Sequence, residues 1–243
     1  DVGFTVHASV PQPVVQEPVC DGDFYANVCT TISSSTVRLY TNGTEVANTH
    51  GNGGCVDVDL GGTPLNIGDS VTARQFHSAG NSPVSPAVTV ASGGSPVYDT
   101  TLWNDPDHQA RNNCYNYGCD IMTDTYAQPG EAHGINLTWQ NLNCPDVDNA
   151  AEADGLVDSL DKICAECTHI VALVMDPDDD YHWYRRDRNG NWSHKLASNP
   201  ATDLDASNNP ITNPETADRN YGYLYYSVFC GYYCVDKSKV VIQ

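Results

Sequence analysis

The sequence has few basic residues and no long apolar run. The 243-residue chain has 11 Lys and Arg against 31 Asp and Glu, a formal net charge of −20. The phosphates of nucleic acids and anionic membrane surfaces repel such a chain. No run of about 18 apolar residues is present to span a membrane. We therefore expect neither a nucleic-acid partner nor membrane insertion.

Cysteine, in contrast, is abundant: the chain has ten cysteines and only two methionines. It begins at Asp1 without a charged and then apolar leader, as a mature, processed protein does. Many cysteines indicate secretion into an oxidising compartment, where disulfides persist. The alternative is zinc, because Cys164-x-x-Cys167 and Cys230-x-x-x-Cys234 have ligand-like spacing. We favour disulfides and a secreted, extracellular or cell-surface location. N-x-S/T sequons, which recur by chance in Asn-rich chains, begin at Asn42, Asn136 and Asn191.

Residues 1–92 alternate between short strands and turns. The stretch "STVRLYTNGTEVANT" predicts a hairpin, because two alternating strands flank Asn42-Gly43. Regular spacing without a helical period predicts a β-sandwich. The stretch "IGDSVTARQFHSAGNSPVSPAVTV" resembles the last two strands of bacterial surface immunoglobulin-like domains. The resemblance implies an immunoglobulin-like β-sandwich that serves as a spacer or adhesion module, and "ASGGSP" then reads as a linker.

Residues 93–243 have a different pattern, which predicts an α+β domain with an antiparallel sheet. Asn149-x-x-Glu152 is typical of a capping box, and apolar residues at helical spacing extend a predicted helix to Cys167. "HIVALVM", "DYHWYRRD", "NWSHKLA" and "YGYLYYSVFCGYYCV" are strand candidates. We expect two domains, residues 1–92 and 93–243.

Cys114 is a candidate nucleophile. Asn112 or Asn113 can cap a helix and place Cys114 in its first turn, where backbone N–H groups and the helix dipole favour a thiolate. The alternative is that Cys114 forms a disulfide, to Cys119 or to the C-terminal segment.

Two histidines complete the candidate catalytic group. A cysteine on a helix, then His182 on one strand and His194 on the next, resembles papain-like cysteine peptidases of the NlpC/P60 group. The resemblance implies Cys114 as nucleophile, His182 as general base and His194 as the residue that orients it. "NNCYNYG" departs from that group's acidic residue followed by Cys-Ser-Gly. Segments such as "CYNYG", "TDTYAQPG" and "FCGYYCV" resemble instead an uncharacterised group of secreted bacterial proteins.

The turn between the two histidines decides whether they share a face of the sheet. A two-residue turn at Asn189-Gly190 puts His182 and His194 on opposite faces. A three-residue loop with Gly190 in a bulge pairs His194 with Tyr184 and puts both histidines on one face. Asn-Gly suits either turn, so both stay open.

Other residues are candidates for binding. Arg185, Arg186 and Trp183 are candidate substrate-binding residues, because arginines pair with carboxylates such as those of cell-wall peptides. Arginines that flank a turn are, however, more often solvated. A weak calcium motif places oxygen ligands at alternating positions, as calcium loops do: Asp203, Asp205, Ser207 and Asn209. It lacks the loop glycine and the bidentate Glu of such loops. We expect no other cofactor.

Two functions follow from these candidates. The first is a secreted cysteine hydrolase, a peptidase or amidase that cleaves amide bonds of cell-wall peptide or protein. The alternative is a non-catalytic, disulfide-rich surface adhesion protein or extracellular structural subunit. Both predict cell-wall or extracellular proteins or glycans as partners, and neither predicts an oligomeric state.

Overall fold

The computed structural model describes residues 10–29, 32–138, 142–177 and 179–243. The chain divides into two compact units, Asp1–Ser92 and Gly93–Gln243. Antiparallel strands make up most of the regular structure, with few helices. Within the described residues, no helix is both long enough and apolar enough to cross a bilayer.

Unit 1 consists of short antiparallel strands in two sheets. One sheet has the order β1-β2-β5, and the other has the order β4-β3-β6-β7, with β8 also paired to β6. Their bounds are β1 Val14–Val15, β2 Tyr25–Cys29, β3 Ser33–Thr41, β4 Thr44–Asn52, β5 Cys55–Asp59, β6 Ser70–His77, β7 Gly80–Asn81 and β8 Val88–Thr89.

Both sheets of unit 1 contribute to one hydrophobic core. Val28 and Val58 from one sheet and Leu39 and Ala73 from the other are all fully buried in it. Alternate residues of β3 and β6 face this core, as the period of two along a strand requires. The predicted hairpin is confirmed: β3 and β4 pair across a turn in which Asn42 and Gly43 both have left-handed backbones.

In the described part of unit 2, three helices and two short 3₁₀ helices surround one antiparallel sheet. The sheet has the order β13-β12-β11-β10-β14-β9. The 3₁₀ helices are Gln109–Arg111 and Glu131–His133. The other bounds are α1 Thr100–Trp103, α2 Cys114–Cys119, α3 Cys144–Ala153, β9 Val157–Asp158, β10 His169–Asp176, β11 Asp180–Arg186, β12 Trp192–Lys195, β13 Ala201–Thr202 and β14 Val228–Val235.

Strand β10 is buried on both faces, which explains its continuous apolar sequence. Val171, Leu173 and Met175 pack into the core that contains the residues of α2 and α3. Ala172 and Val174, which point the other way, pack into a second core that is rich in aromatic side chains. The sheet therefore holds α2 against one face and an irregular, tyrosine-rich layer against the other.

The predicted helix from a capping box at Asn149 to Cys167 is wrong at both ends. Helix α3 begins at Cys144, where the Asn143 side chain caps it, so Asn149 lies inside the helix. Helix α3 ends at Ala153, and Gly155 has φ = 104°, a conformation that no helix continues through. Leu160 and Ile163, expected on the buried face, are 93% and 73% exposed. The apolar spacing wrongly predicted a buried helix face, because these side chains lie in loops outside the core.

Disulfides account for most of the described cysteines. The structure has Cys29–Cys55 within unit 1 and Cys144–Cys230 and Cys164–Cys234 within unit 2. The preference for disulfides is confirmed, and zinc ligation fails because three of its four proposed ligands are in these bonds. Among the described residues the free thiols are Cys114 and Cys119, both buried.

Candidate functional site

Cys114 is the first residue of α2, as its sequence predicts. The Asn113 side chain caps the helix by accepting hydrogen bonds from the backbone N–H groups of Tyr115, at 2.9 Å, and Asn116, at 3.1 Å. Asn116 Oδ1 accepts a bond from the Asn113 backbone N–H in return, which completes a capping box. Cys114 forms no disulfide, so that alternative is wrong.

The hairpin between β11 and β12 closes at Asp187 and Asn191, which leaves a loop of three residues, 188–190. Asp187 N–H donates to the Asn191 carbonyl at 2.8 Å, and Gly190 has φ = 85°. His194 consequently pairs with Tyr184, and the side chains of His182 and His194 lie on one face of the sheet. The three-residue alternative is therefore the correct one.

The hydrogen bonds of the two histidines fix their tautomers. His194 Nε2 lies 3.0 Å from the Leu204 carbonyl, which can only accept, so the proton is on that nitrogen. Neutral His194 then accepts at Nδ1 from His182 Nε2–H, at 2.8 Å. His182 is left with an unprotonated Nδ1. The hydrogen bond between the two rings fixes the orientation of His182 relative to His194.

Cys114 and His182 line one pocket of about 100 Å³. Asp180, Tyr126 and Tyr226 also line it, and Tyr226 Oη–H donates to Asp180 Oδ2 at 2.7 Å. The sequence reasoning missed these three residues. Asp180 ends an aspartate-rich stretch that is typical of a polar loop, and nothing local marks Tyr126 or Tyr226. The remaining lining residues are Asn113, Gln128, Tyr181 and Ala197.

The electrostatics of this pocket oppose nucleophilic chemistry. Burial, with a smaller contribution from the Asp180 carboxylate, raises the pKa of Cys114 to about 12. Burial lowers the pKa of His194 to about 4 and that of His182 well below its usual range. The thiol and both imidazoles are therefore neutral near pH 7, whereas an activated cysteine requires a thiolate.

The candidate substrate-binding residues are mostly inaccessible. Arg185 is fully buried, with its guanidinium 2.8 Å from an Asp120 carboxylate oxygen and 3.0 Å from one of Asp187. Trp183 is fully buried as well, packed in the core that contains α2. Arg186 is exposed, and its Nε–H donates to the Gly190 carbonyl. Because strand side chains alternate, the neighbouring Arg185 and Arg186 point to opposite faces, and Arg185 and Trp183 are closed off from solvent. The ligand roles of these residues stay predictions.

The weak calcium motif forms a turn that uses its own oxygens. Asp205 Oδ1 accepts from the backbone N–H groups of Ser207 and Asn209, and Oδ2 accepts from that of Asp218. Asp203 contributes its backbone carbonyl to Ile211 N–H. In the part of the chain that the structure describes, no group of three or more His, Cys, Asp or Glu could hold a metal ion. Calcium binding at this motif stays a prediction.

The disulfides and antiparallel sheets define a β-rich extracellular class of protein. No family model matches the chain. It is 44% identical over 130 residues to insoluble matrix shell protein 1 of Ruditapes philippinarum, covering 54% of this chain and 83% of that protein. The chain belongs to the family of that shell matrix protein, and it is extracellular.

Two solved structures show weaker similarity. The BSP domain of a biofilm associated protein is 26% identical, with a TM-score of 0.32, over 36% of this chain and 15% of that chain. Domains FN1–FN3 of chicken CNTN1 are 10% identical, with a TM-score of 0.25, over 79% of this chain and 63% of that chain. Both TM-scores are low, so neither similarity bears on fold or function.

The family corrects the resemblances to bacterial proteins. A mollusc shell matrix protein is a relative at 44% identity, so the similarities to NlpC/P60 peptidases and to bacterial surface and secreted proteins are wrong. The predicted cysteine hydrolase is wrong with them. Cys114 and His182 line one pocket and His182 bonds to His194, but His182 pairs with Val174 and so points to the face of the sheet opposite α2. The buried, neutral state of these groups and the family both favour the non-catalytic alternative.

Proposed function

We propose that this chain is a non-catalytic structural subunit of an extracellular matrix of the shell type. The observation that carries the proposal is the 44% identity over 83% of the length of insoluble matrix shell protein 1. Its partners in this proposal are other matrix macromolecules, either proteins or glycans, that bind the folded chain outside the cell.

The cross-linked fold of unit 2 supports a structural role. Cys144–Cys230 ties the start of α3 to β14, and Cys164–Cys234 ties the loop before β10 to the same strand. Bridges that close long segments stabilise mainly by restricting the unfolded chain.

Unit 1 fits a spacer within this role. We propose that its two antiparallel sheets form an immunoglobulin-like β-sandwich, supported by the core that both sheets share. Its disulfide joins β2 to β5, which are neighbours in one sheet, whereas antibody domains carry theirs between the sheets. The topology, not the bridge, therefore supports this assignment.

Matrix association can be measured directly. The purified 243-residue chain is mixed with acid-insoluble matrix from decalcified bivalve shell, washed with high salt and detergent, and quantified in the pellet. We expect retention in the pellet, and we expect the Cys114→Ser variant to be retained equally, because the thiol sits in a pocket and takes no part in a structural role.

A parallel assay addresses hydrolysis. The same protein is incubated with matrix proteins and cell-wall peptides, and new amino termini are counted by mass spectrometry. Amide cleavage that is lost in Cys114→Ser would overturn the proposal, as would full recovery of the native chain in the soluble fraction after washing.

A further inference from the structure

The segment at residues 134–138 presents one N-x-T sequon to solvent. It follows the 3₁₀ helix Glu131–His133 and has no regular structure. Leu137 is partly buried against the core that contains α2 and α3, whereas Asn136 and Thr138 on either side of it are exposed. Side chains of an extended segment alternate in direction, so anchoring Leu137 turns both functional residues of the sequon outward.

The polar groups of this sequon are available. Within the described residues, the side chains of Asn136 and Thr138 take part in no hydrogen bond, so neither the amide nitrogen nor the hydroxyl is committed to the fold. N-glycosylation uses both groups: the amide nitrogen is the acceptor, and the hydroxyl two residues later is part of the recognised motif.

The sequon at Asn42 differs because its amide is committed. Asn42 Nδ2–H donates to Asp69 Oδ1 at 2.7 Å, and Asn42 Oδ1 accepts from the Ser70 N–H at 2.9 Å. Asn42 also occupies the tight hairpin turn, with φ = 52°. The amide group of Asn42 is thus held between Asp69 and Ser70 within a tight turn, which restricts the orientations in which a transferase can meet its free N–H.

The sequon at Asn191 differs because its hydroxyl is buried. Ser193 is fully inaccessible, and its Oγ lies 2.7 Å from Tyr117 Oη, in the layer between α2 and the sheet. Trp192, the middle residue, is also buried. Once unit 2 is folded, a transferase can reach Asn191 but not the hydroxyl that completes the motif.

We propose that Asn136 is the N-glycosylation site of this protein and that Asn42 and Asn191 stay unmodified. The donor is an oligosaccharide linked through a pyrophosphate to a polyprenyl lipid. The Asn136 amide nitrogen forms a bond to the anomeric carbon of the first sugar and loses one proton. The bond between that carbon and the pyrophosphate oxygen breaks, and the lipid pyrophosphate leaves with the electron pair.

This assignment goes beyond the matrix role and is independent of it, since it requires only passage through a eukaryotic secretory pathway. The test uses the full chain secreted from cultured animal cells. Deglycosylation by a peptide amidase in heavy-oxygen water converts a glycosylated Asn to labelled Asp. We expect the label at Asn136 in the peptide map and unlabelled Asn at Asn42 and Asn191.

Matched variants separate the site from effects on folding. Asn136→Gln and Thr138→Ala are expected to abolish the amidase-sensitive shift in gel mobility, Thr138→Ser to keep it, and Asn191→Gln to leave it unchanged. All four are expected to be secreted with unchanged tryptophan fluorescence, because the replaced side chains are exposed. Unlabelled Asn136 in the secreted protein, or label at Asn42 or Asn191, would overturn the assignment.

Discussion

The two disulfides of unit 2 are expected to depend on one another. Cys144–Cys230 and Cys164–Cys234 have sequence separations of 86 and 70 and overlap along the chain. When one bridge is already formed, the chain can be followed from one cysteine of the second bridge to the other by crossing the first bridge. The loop that the second bridge closes therefore has only about 24 residues, from the segments 144–164 and 230–234. The entropy of that short loop, not of the full separation, sets the effect of removing a single bridge.

The magnitudes follow from loop entropy. Closing a loop of about 24 residues stabilises a fold by about 3.5 kcal/mol, and closing one of 70 to 86 residues by about 4.5 kcal/mol. We therefore expect the Cys144→Ala/Cys230→Ala pair to lower the free energy of unfolding by about 3.5 kcal/mol, and likewise the Cys164→Ala/Cys234→Ala pair. Removal of both bridges should lower it by about 8 kcal/mol, more than the two single losses together.

Tryptophan fluorescence during urea unfolding isolates this effect, because all four tryptophans of the chain lie in residues 93–243. The control is the Cys29→Ala/Cys55→Ala pair in unit 1, which should leave the tryptophan transition in place. Strictly additive losses, or single losses as large as those for the full separations, would refute the reasoning about the shared loop.

Three further expectations concern buried groups of unit 2. Arg185→Met leaves the buried Asp187 carboxylate without its partner and should lower the free energy of unfolding by about 3 to 5 kcal/mol. The exposed control Arg186→Met should change it by less than about 0.5 kcal/mol, and equal losses would contradict the burial argument. Because the pKa of Cys114 is about 12, iodoacetamide should alkylate it at pH 7 about a thousandfold more slowly than free cysteine, and rapidly only in urea. Fast labelling of the folded protein would disprove this. Burial lowers the pKa of His169 from 6.5 to about 4, so its contribution is present above pH 6.5 and is lost as the pH falls to about 4. In the His169→Gln variant, the urea midpoint should depend less steeply on pH between pH 4 and 6.5 than in the unmodified protein. An unchanged dependence would count against the assignment.

Local sequence was sufficient where neighbouring residues decide the structure. Asn42-Gly43 favours left-handed backbone at two successive positions, and the hairpin forms there. Asn113 caps α2 from the position next to Cys114, so the start of this helix was predictable. Spacing failed for Leu160 and Ile163, because a local pattern does not report whether a core lies within reach.

In the candidate site, too, local sequence was not sufficient where distant contacts decide the structure. Asn189-Gly190 fits two loops, and the three-residue one is held by contacts far away in the sequence: Arg188 N–H donates to the Pro96 carbonyl at 2.8 Å and its Nε–H to that of Ser95 at 3.1 Å. Such contacts bring the histidines onto one face. No pattern of nearby residues contains them.

The sequence by itself determined the acidic charge, the oxidised cysteines, the strands and the start of α2, because composition and near neighbours set these properties. Tertiary structure alone decided the protonation of Cys114 and the inaccessibility of Arg185. Both depend on desolvation by the surrounding core, a property of packing rather than of sequence order. A cysteine and a histidine thus line one pocket, while burial keeps both of them neutral.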